Sequence, residues 1–400
     1  MPQQKVDKLT SGLWDAAVIG GGVAGGVAAI HLGRANIRTV LLEKDNETGP
    51  KVCGGFIGPE GIRILSECGI DFDRLKSPKI KALRFHGPLR SFEANVPCEA
   101  RVLSRMTLDR ELLDIAAACG VEVRRGSFVS ECHGELPFKI VTCGEELVAK
   151  RLILATGKSE FRSVQLRRGR DENHVGFAML LRLKPSIRRR LADHMDIFVF
   201  RHGYGSLSLI EGGEDACWSF VVERAALKEM GGSDWDAVAS YIADHNWEAS
   251  RYFDGADPLW KDFVSIPHLP LGFLRQERGT RGIFCLGEQM AVLPSPLGDG
   301  LSVAAITGRE AAKNIIGARK RGLRPPESSF QYEKEIRRQV RPRLETAYRL
   351  HGFFKNPQIF DWSTYFLKSA PWAVELALSL MANRSDRRWL PQAVVKRLPI

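Results

Sequence analysis

Three glycines at fixed spacing, Gly20-x-Gly22-x-x-Gly25, and an acid roughly twenty residues further on, Glu43, are the residues of this 400-residue chain best suited to chemistry. An apolar stretch, Ala16–Ile19, leads into the glycines, a helical pattern follows, and a second apolar stretch, Thr39–Leu42, ends on the acid. This is the pattern of a βαβ unit that holds a dinucleotide. Gly20 permits the tight turn, Gly22 lets the backbone approach a pyrophosphate, and Gly25 lets the helix pack closely on the strand. The positive end of that helix then faces the phosphates, and Glu43 can accept hydrogen bonds from a ribose diol. Two later stretches read as strands returning to the same sheet: Arg151-Leu-Ile-Leu-Ala-Thr-Gly157 and Gly282-Ile-Phe-Cys-Leu-Gly-Glu288. Pro294-Ser-Pro-Leu-Gly-Asp-Gly300 follows, with a helix expected from Leu301 to about Ile316.

In that order these stations resemble the FAD enzymes of the p-hydroxybenzoate-hydroxylase type. Lys51-Val-Cys-Gly-Gly-Phe-Ile-Gly-Pro-Glu60 is similar to the K-x-C-G-G segment of their geranylgeranyl-reductase-like branch. The resemblance spans residues 13–315, strongly at the three stations and weakly between them. It implies FAD as the tightly held cofactor. It places the ADP half on Gly20, Gly22, Gly25 and Glu43, with Arg105 near the pyrophosphate and Val129 beside the adenine. Lys44 and Gly157 complete the expected cofactor contacts on that side. Glu288 stands where the family usually carries Asp against the ribityl chain, and Gly298 and Gly300 would line the isoalloxazine. A helix starting at Gly300 directs free N–H groups toward the ring, which favours the negative charge of a reduced flavin.

Among groups that might act on a substrate, Cys53 is the sharpest, since the glycines after it allow close approach to a planar ring. It would donate a proton to a reduced double bond or contact the flavin, against the plainer role of a small buried residue. Lys51 is a candidate phosphate or substrate partner. His202 and His268 can be drawn facing the flavin, with a structural role as the alternative for each. Arg167-Arg-Gly-Arg170 and Arg188-Arg-Arg190 would steer a nicotinamide phosphate or form solvated surface runs. No second GxGxxG is present, so NAD(P)H is expected to bind transiently. The W-x-W-x-I-P segment of flavin halogenases is missing from the sequence.

The formal charge of +11 is unevenly placed. Residues 319–400 hold 17 Lys/Arg and 7 Asp/Glu, whereas the preceding 318 residues hold 41 and 40. The same segment carries Phe353, Phe354, Phe360, Trp362, Tyr365, Phe366 and Trp372, and Pro371–Met381 is apolar on nearly every side. Such a basic aromatic segment suits an anionic membrane surface or an acidic carrier protein, or it caps the substrate domain. Nucleic acid is not expected, because no recognition module accompanies the charge. Eight scattered cysteines show no metal-ligand spacing, and no metal site is expected. With a polar N-terminus and no long apolar run, the expectation is a cytoplasmic protein, soluble or peripheral at the membrane.

The elements that must position these groups suggest an α/β fold. A Rossmann-type FAD-binding domain is built from residues 13–76, 101–165 and 276–318. A mostly antiparallel substrate sheet is built from 77–100 and 166–275, with candidate strands Gly176–Leu183, Asp196–Phe200, Gly205–Ile210 and Cys217–Val222. A helix is expected over Pro59–Cys68, Leu147–Leu154 is expected to feed the Ala-Thr-Gly turn, and a basic helical segment occupies 319–400. Two reactions compete: NAD(P)H-dependent monooxygenation of a large hydrophobic, polyketide- or lipid-derived substrate, and reduction of isoprenoid double bonds. The Pro294–Ser302 motif favours the first, as does the lack of an aromatic-Trp-x-Phe-Pro segment near Phe198–Phe220. A non-catalytic flavin-binding module is the third reading, prompted by Glu288 in place of Asp and by the missing Asp before Gly157.

Overall fold

Five short parallel strands lie in the order Ile283–Cys285, Leu152–Leu154, Ala16–Ile19, Thr39–Leu42, Glu122–Arg124. The computed structural model describes residues 12–159, 167–232, 234–276, 282–294 and 298–370, with residues 372 and 375. Every residue of the three middle strands is buried, because both faces of a parallel sheet are covered; this is why they read as unbroken apolar runs. The helices among the described residues are α1 (Val23–Arg34), α2 (Pro59–Cys68), α3 (Arg105–Ala118), α4 (Pro185–Leu191), α5 (Ala226–Glu229), α6 (Trp235–His245), α7 (Trp247–Phe253), α8 (Gly300–Arg321), α9 (Pro325–Phe354) and α10 (Pro357–Ser369). Helix α2 has the bounds expected from sequence, with Pro59 in its first turn and Gly69 closing it in the left-handed region at φ 110°.

The second sheet has nine strands and one parallel pairing. Its order is Asp257–Pro258, His174–Arg182, Asp215–Glu223, Gly203–Leu209, His194–Phe200, Lys79–His86, Ser91–Val102, Phe56–Ile57, with Val264–Ile266 also on His174–Arg182. Residues 79–102 thus join strands from the middle of the chain. One face buries Trp218, Phe198 and Leu207 with residues of α6 and α7. The other gathers Met195, Ile197 and Tyr204 with Phe354 of α9 and Phe360 of α10.

Two local expectations are corrected. The stretch 147–154 is two strands: Glu145–Ala149 pairs with Phe138–Thr142 and Leu13–Trp14, and only Leu152–Leu154 enters the parallel sheet. The chain switches sheets at Lys150, whose N–H donates to the Trp14 carbonyl. Helices α4 to α7 also interrupt a block that reads as strands. Their signals are local caps: Pro185 opens α4, Asp234 accepts from the Ala237 N–H, and Asn246 from the Ala249 N–H. Pro371–Met381 lies outside the described residues except for Trp372 and Glu375.

Asn246 does more than cap α7. Its buried Nδ2 shares its hydrogens among the carbonyls of His86 (2.9 Å), Gly87 (3.1 Å) and Val199 (2.9 Å), tying the helix to the sheet. Asn246→Ala would strip these buried carbonyls of their donor and remove the cap. We expect a loss of about 2–4 kcal/mol in urea unfolding.

Candidate active site

The carboxyl ends of the parallel strands and one face of the nine-stranded sheet enclose a cleft of about 950 Å³. Its cofactor-side wall starts at Gly20, whose φ of 102° needs glycine and whose missing Cβ would sit 2.4 Å from the Ala155 carbonyl oxygen. A Cβ on Gly25 would lie 2.0 Å from the Gly20 oxygen. Gly22 caps α1 in extended conformation without a side-chain hydrogen bond, so the first N–H groups of the helix are open to an anion. Glu43 ends the adjacent strand. Its carboxylate accepts from the Gly21 N–H at 2.6 Å and from the Asp45 N–H at 3.2 Å, which holds it over the glycine loop.

Arg105 opens α3 and reaches the same place, with a guanidinium nitrogen 3.1 Å from where a Gly22 Cβ would stand. It forks onto Asp109 at 3.0 and 2.9 Å, and Lys51 meets the same carboxylate at 2.7 Å. Two cations therefore share one carboxylate, leaving a net positive charge suited to a pyrophosphate. Burial disfavours the charge on Arg105, but Asp109 prevails and raises its pKa. Lys51 is thus held in an ion pair, about one-third exposed. Lys44, Val129 and Gly157 also line the cleft.

The far end of that wall shows what sequence reading missed. Arg167 is only 4% exposed and is not part of a solvated run. It donates to the carbonyls of Gly157 (2.9 Å), Glu288 (3.2 Å) and Lys158 (2.5 Å). Gln289 donates to Thr156 Oγ1 and to the Gly157 and Ser159 carbonyls at 2.9–3.0 Å. Together they lock the Ala-Thr-Gly turn against the Gly287-Glu288 turn. The sequence marked Arg167 only as part of an arginine run that would steer a nicotinamide phosphate or be solvated; its clamping role was hidden because its acceptors are backbone carbonyls brought together by folding. The carboxylate of Glu288 lines the cleft and pairs with Lys158 at 3.2 Å, so the longer acid keeps a charged partner.

Gly298 (φ 77°) packs against Phe56, where a Cβ would come within 2.6 Å of the ring. Gly300 begins α8 on the cleft, and no side chain caps that helix either. Asp299 precedes it and meets Arg343 of α9 at 3.3 Å, while Arg343 also holds Glu60 of α2. Burial raises the Asp299 carboxyl, against the pull of Arg343. Residues 295–297 of the expected motif lie outside the described residues.

Cys53 lies in the cleft wall, half-buried, with its Sγ 3.4 Å from the Gly55 N–H that donates to it. Gly54 abuts Ser206 of the substrate sheet, so this loop joins the cofactor side to the substrate side. The opposite wall is largely apolar: Met195, Phe220, Val264, Ile266 and Leu269. His202 sits at a hairpin turn on Glu223 and His268 is exposed; neither lines the cleft.

Tyr204, at the edge of the cleft, hydrogen-bonds His351 Nδ1 at 2.9 Å. His351, His174 and Asp171 gather within 4.8 Å, a grouping that could hold a metal ion. The Lys355 ammonium already takes that cationic role, 3.0 Å from Asp171. Burial pushes His351 down to about 4, whereas Lys355, the Asn173 N–H and His174 hold Asp171 at about 2 against its own burial.

A family model described as an FAD binding domain matches residues 14–135. A digeranylgeranylglycerophospholipid reductase of Thermoplasma acidophilum is 32% identical over 353 residues, 81% of this chain and 83% of that relative. The chain belongs to the geranylgeranyl-reductase-like FAD oxidoreductases. A digeranylgeranylglycerophospholipid reductase 2 of Methanothermobacter thermautotrophicus is 34% identical over 118 residues, a match that spans 28% of this chain and only 29% of that relative. Flavin-dependent brominase Bmp2 shares the fold at TM-score 0.75 and 18% identity, covering 96% of this chain and 97% of its own. This protein is therefore an FAD-dependent oxidoreductase. The cradle fits FAD: glycines where a Cβ would collide, two uncapped helix N-termini, a half-buried cation and a carboxylate at the strand end.

Arg105→Met would leave Asp109 to Lys51 alone and remove the half-buried cation. FAD affinity is expected to fall by about 10–100-fold, read by titrating apoprotein with FAD and following flavin fluorescence. A second expectation concerns acid. Folded His351 protonates near 4 and unfolded His351 near its ordinary 6.5, so the unfolded chain takes up more protons between these values. Stability therefore falls as pH drops from 6.5 through 4, in the same direction as half-buried His31 and buried His174. His351→Asn would flatten the slope of melting temperature against pH in that window.

Proposed function

We propose that this FAD enzyme reduces carbon–carbon double bonds in the isoprenoid chain of a lipid, with NAD(P)H as a transiently bound reductant. The observation that carries the reading is the cleft itself: a largely apolar wall suited to a hydrocarbon chain, with the Cys53 thiol set into the loop between that wall and the flavin cradle. Similarity to a reductase along most of the chain supports the same order of preference. The residues that would hold the cofactor are the first turn of α1, Glu43 and Arg105 for the ADP half, with Lys44 and Val129 nearby. Gly157, Glu288 and the start of α8, including Gly298 and Gly300, would hold the flavin half. When bound and reduced by NAD(P)H, the flavin would supply a hydride. The apolar residues orient the chain and exclude water. Cys53 holds a proton at Sγ, positioned by the Gly55 N–H, for the alkene carbon that does not receive the hydride.

Monooxygenation of a large hydrophobic substrate is the second reading, favoured by the Pro294–Ser302 motif. That chemistry asks little acid–base work of the protein, so a wall without a histidine does not weigh against it.

Incubation of the holoenzyme with a geranylgeranyl lipid and NADPH, with and without oxygen, separates the two by product mass. Gain of hydrogen pairs in the absence of oxygen is expected; gain of an oxygen atom only in its presence would replace reduction with hydroxylation. Cys53→Ala is expected to lower turnover by about 100-fold or more with FAD content unchanged, and full turnover would remove the thiol from the reaction.

A further inference from the structure

The four most exposed large apolar side chains among the described residues are Trp362 (74%), Leu89 (73%), Tyr365 (68%) and Phe366 (67%). Three sit on α10. The fourth is on the Gly87–Arg90 turn, which α10 holds directly: Asp361 accepts from the N–H groups of Leu89 and Arg90, each at 2.9 Å. Ile359 extends the stripe on α10, since positions 359, 362 and 366 fall on one helical face. On the other side of the turn, exposed Trp247 donates its N–H to the Pro88 carbonyl at 3.3 Å. Segments widely separated in sequence thus meet at one turn, each carrying an exposed apolar side chain.

We propose that this face docks on an anionic lipid bilayer, an inference that rests on the lipid substrate proposed above. Tryptophan, tyrosine and phenylalanine are the side chains that settle at the headgroup boundary. Cations stand among them: exposed Lys368 on α10, Arg90 beside Leu89 and paired with Asp361 at 2.6 Å, and Arg251, 5.5 Å from the Trp247 ring and paired with Glu248 at 3.3 Å. The +10 excess of residues 319–400 adds a long-range attraction to negative headgroups. An acidic carrier protein would be met chiefly by cations, whereas the centre of this face is aromatic. At about 20 Å, α10 has the length to lie in the interface, and no helix of the described residues is long and apolar enough to cross a membrane.

The underside of α10 links this face to the cleft. Phe360 and Phe354 belong to the same apolar cluster as Met195 and Tyr204, which line the cleft. The docked face is therefore coupled to the cleft wall through packed apolar contacts.

The test is co-sedimentation of full-length holoenzyme with vesicles of phosphatidylcholine containing phosphatidylglycerol, against phosphatidylcholine alone. Wild type is expected to pellet with the anionic vesicles, and Trp362→Glu/Phe366→Glu to lose at least tenfold in binding while keeping its FAD content and melting temperature. Wild type that stays in the supernatant, or a double variant that pellets as wild type does, overturns the proposal. So does binding of an acyl carrier protein without vesicle binding. Activity on detergent-dispersed geranylgeranyl lipid separates the two claims: retention by the double variant supports a pure docking role. Its absence from wild type would end the substrate reading while leaving the vesicle result to stand or fall alone.

Discussion

The distance at which α1 can approach the strand before it governs the rest of the molecule. Three contacts are made against backbone atoms that cannot move aside: Gly25 on the Gly20 oxygen, Gly20 on the Ala155 oxygen, and Gly308 of α8 on the Ala24 oxygen. With no Cβ at these points, two helices and two strands come together at backbone contact. Their ends then converge, and α1 and α8 both bring uncapped N-termini to one cleft. Charged and polar groups of a cofactor are met by N–H groups whose directions are fixed by packing, so little reorganisation is needed on binding.

A second tier of ties keeps the remaining walls in place. Arg343 reaches from α9 to Asp299 and Glu60, and Arg167 joins the second and third stations through their carbonyls. Glu211, from the substrate sheet, accepts from the Ser104 N–H at 2.8 Å, at the start of the helix that carries Arg105. Each of these ties adds a charged or polar link between elements distant in sequence. Removing one member would leave a poorly solvated charge or unpaired backbone groups, which makes each of them a rigid constraint.

The substrate side is held differently. Its sheet separates an aromatic cluster behind α6 and α7 from the smaller, more varied surface that faces the cleft. The first gives stiffness; the second leaves room. The Lys51–Gly55 loop bridges the two regimes, with its lysine on Asp109 and its glycine on Ser206, and its thiol is therefore presented to both cofactor and substrate space.

The sequence by itself determined the glycine turn, α1, the acid at Glu43, helix α2 and the four long central strands. All of these depend on backbone sterics, caps and apolar periodicity within a few residues. It also marked Arg105 and Cys53 through a resemblance, without saying what either touches. Only the tertiary structure decided that Arg167 clamps the second and third stations, that Lys51 is committed to Asp109, and that His202 and His268 stand away from the cleft. It alone set the Leu89 turn against α10 and the start of α7 against that turn. The reason is physical: a turn or helix is selected by neighbours along the chain, whereas the partner of a charge or of an exposed ring is set by which distant segments packing brings within reach.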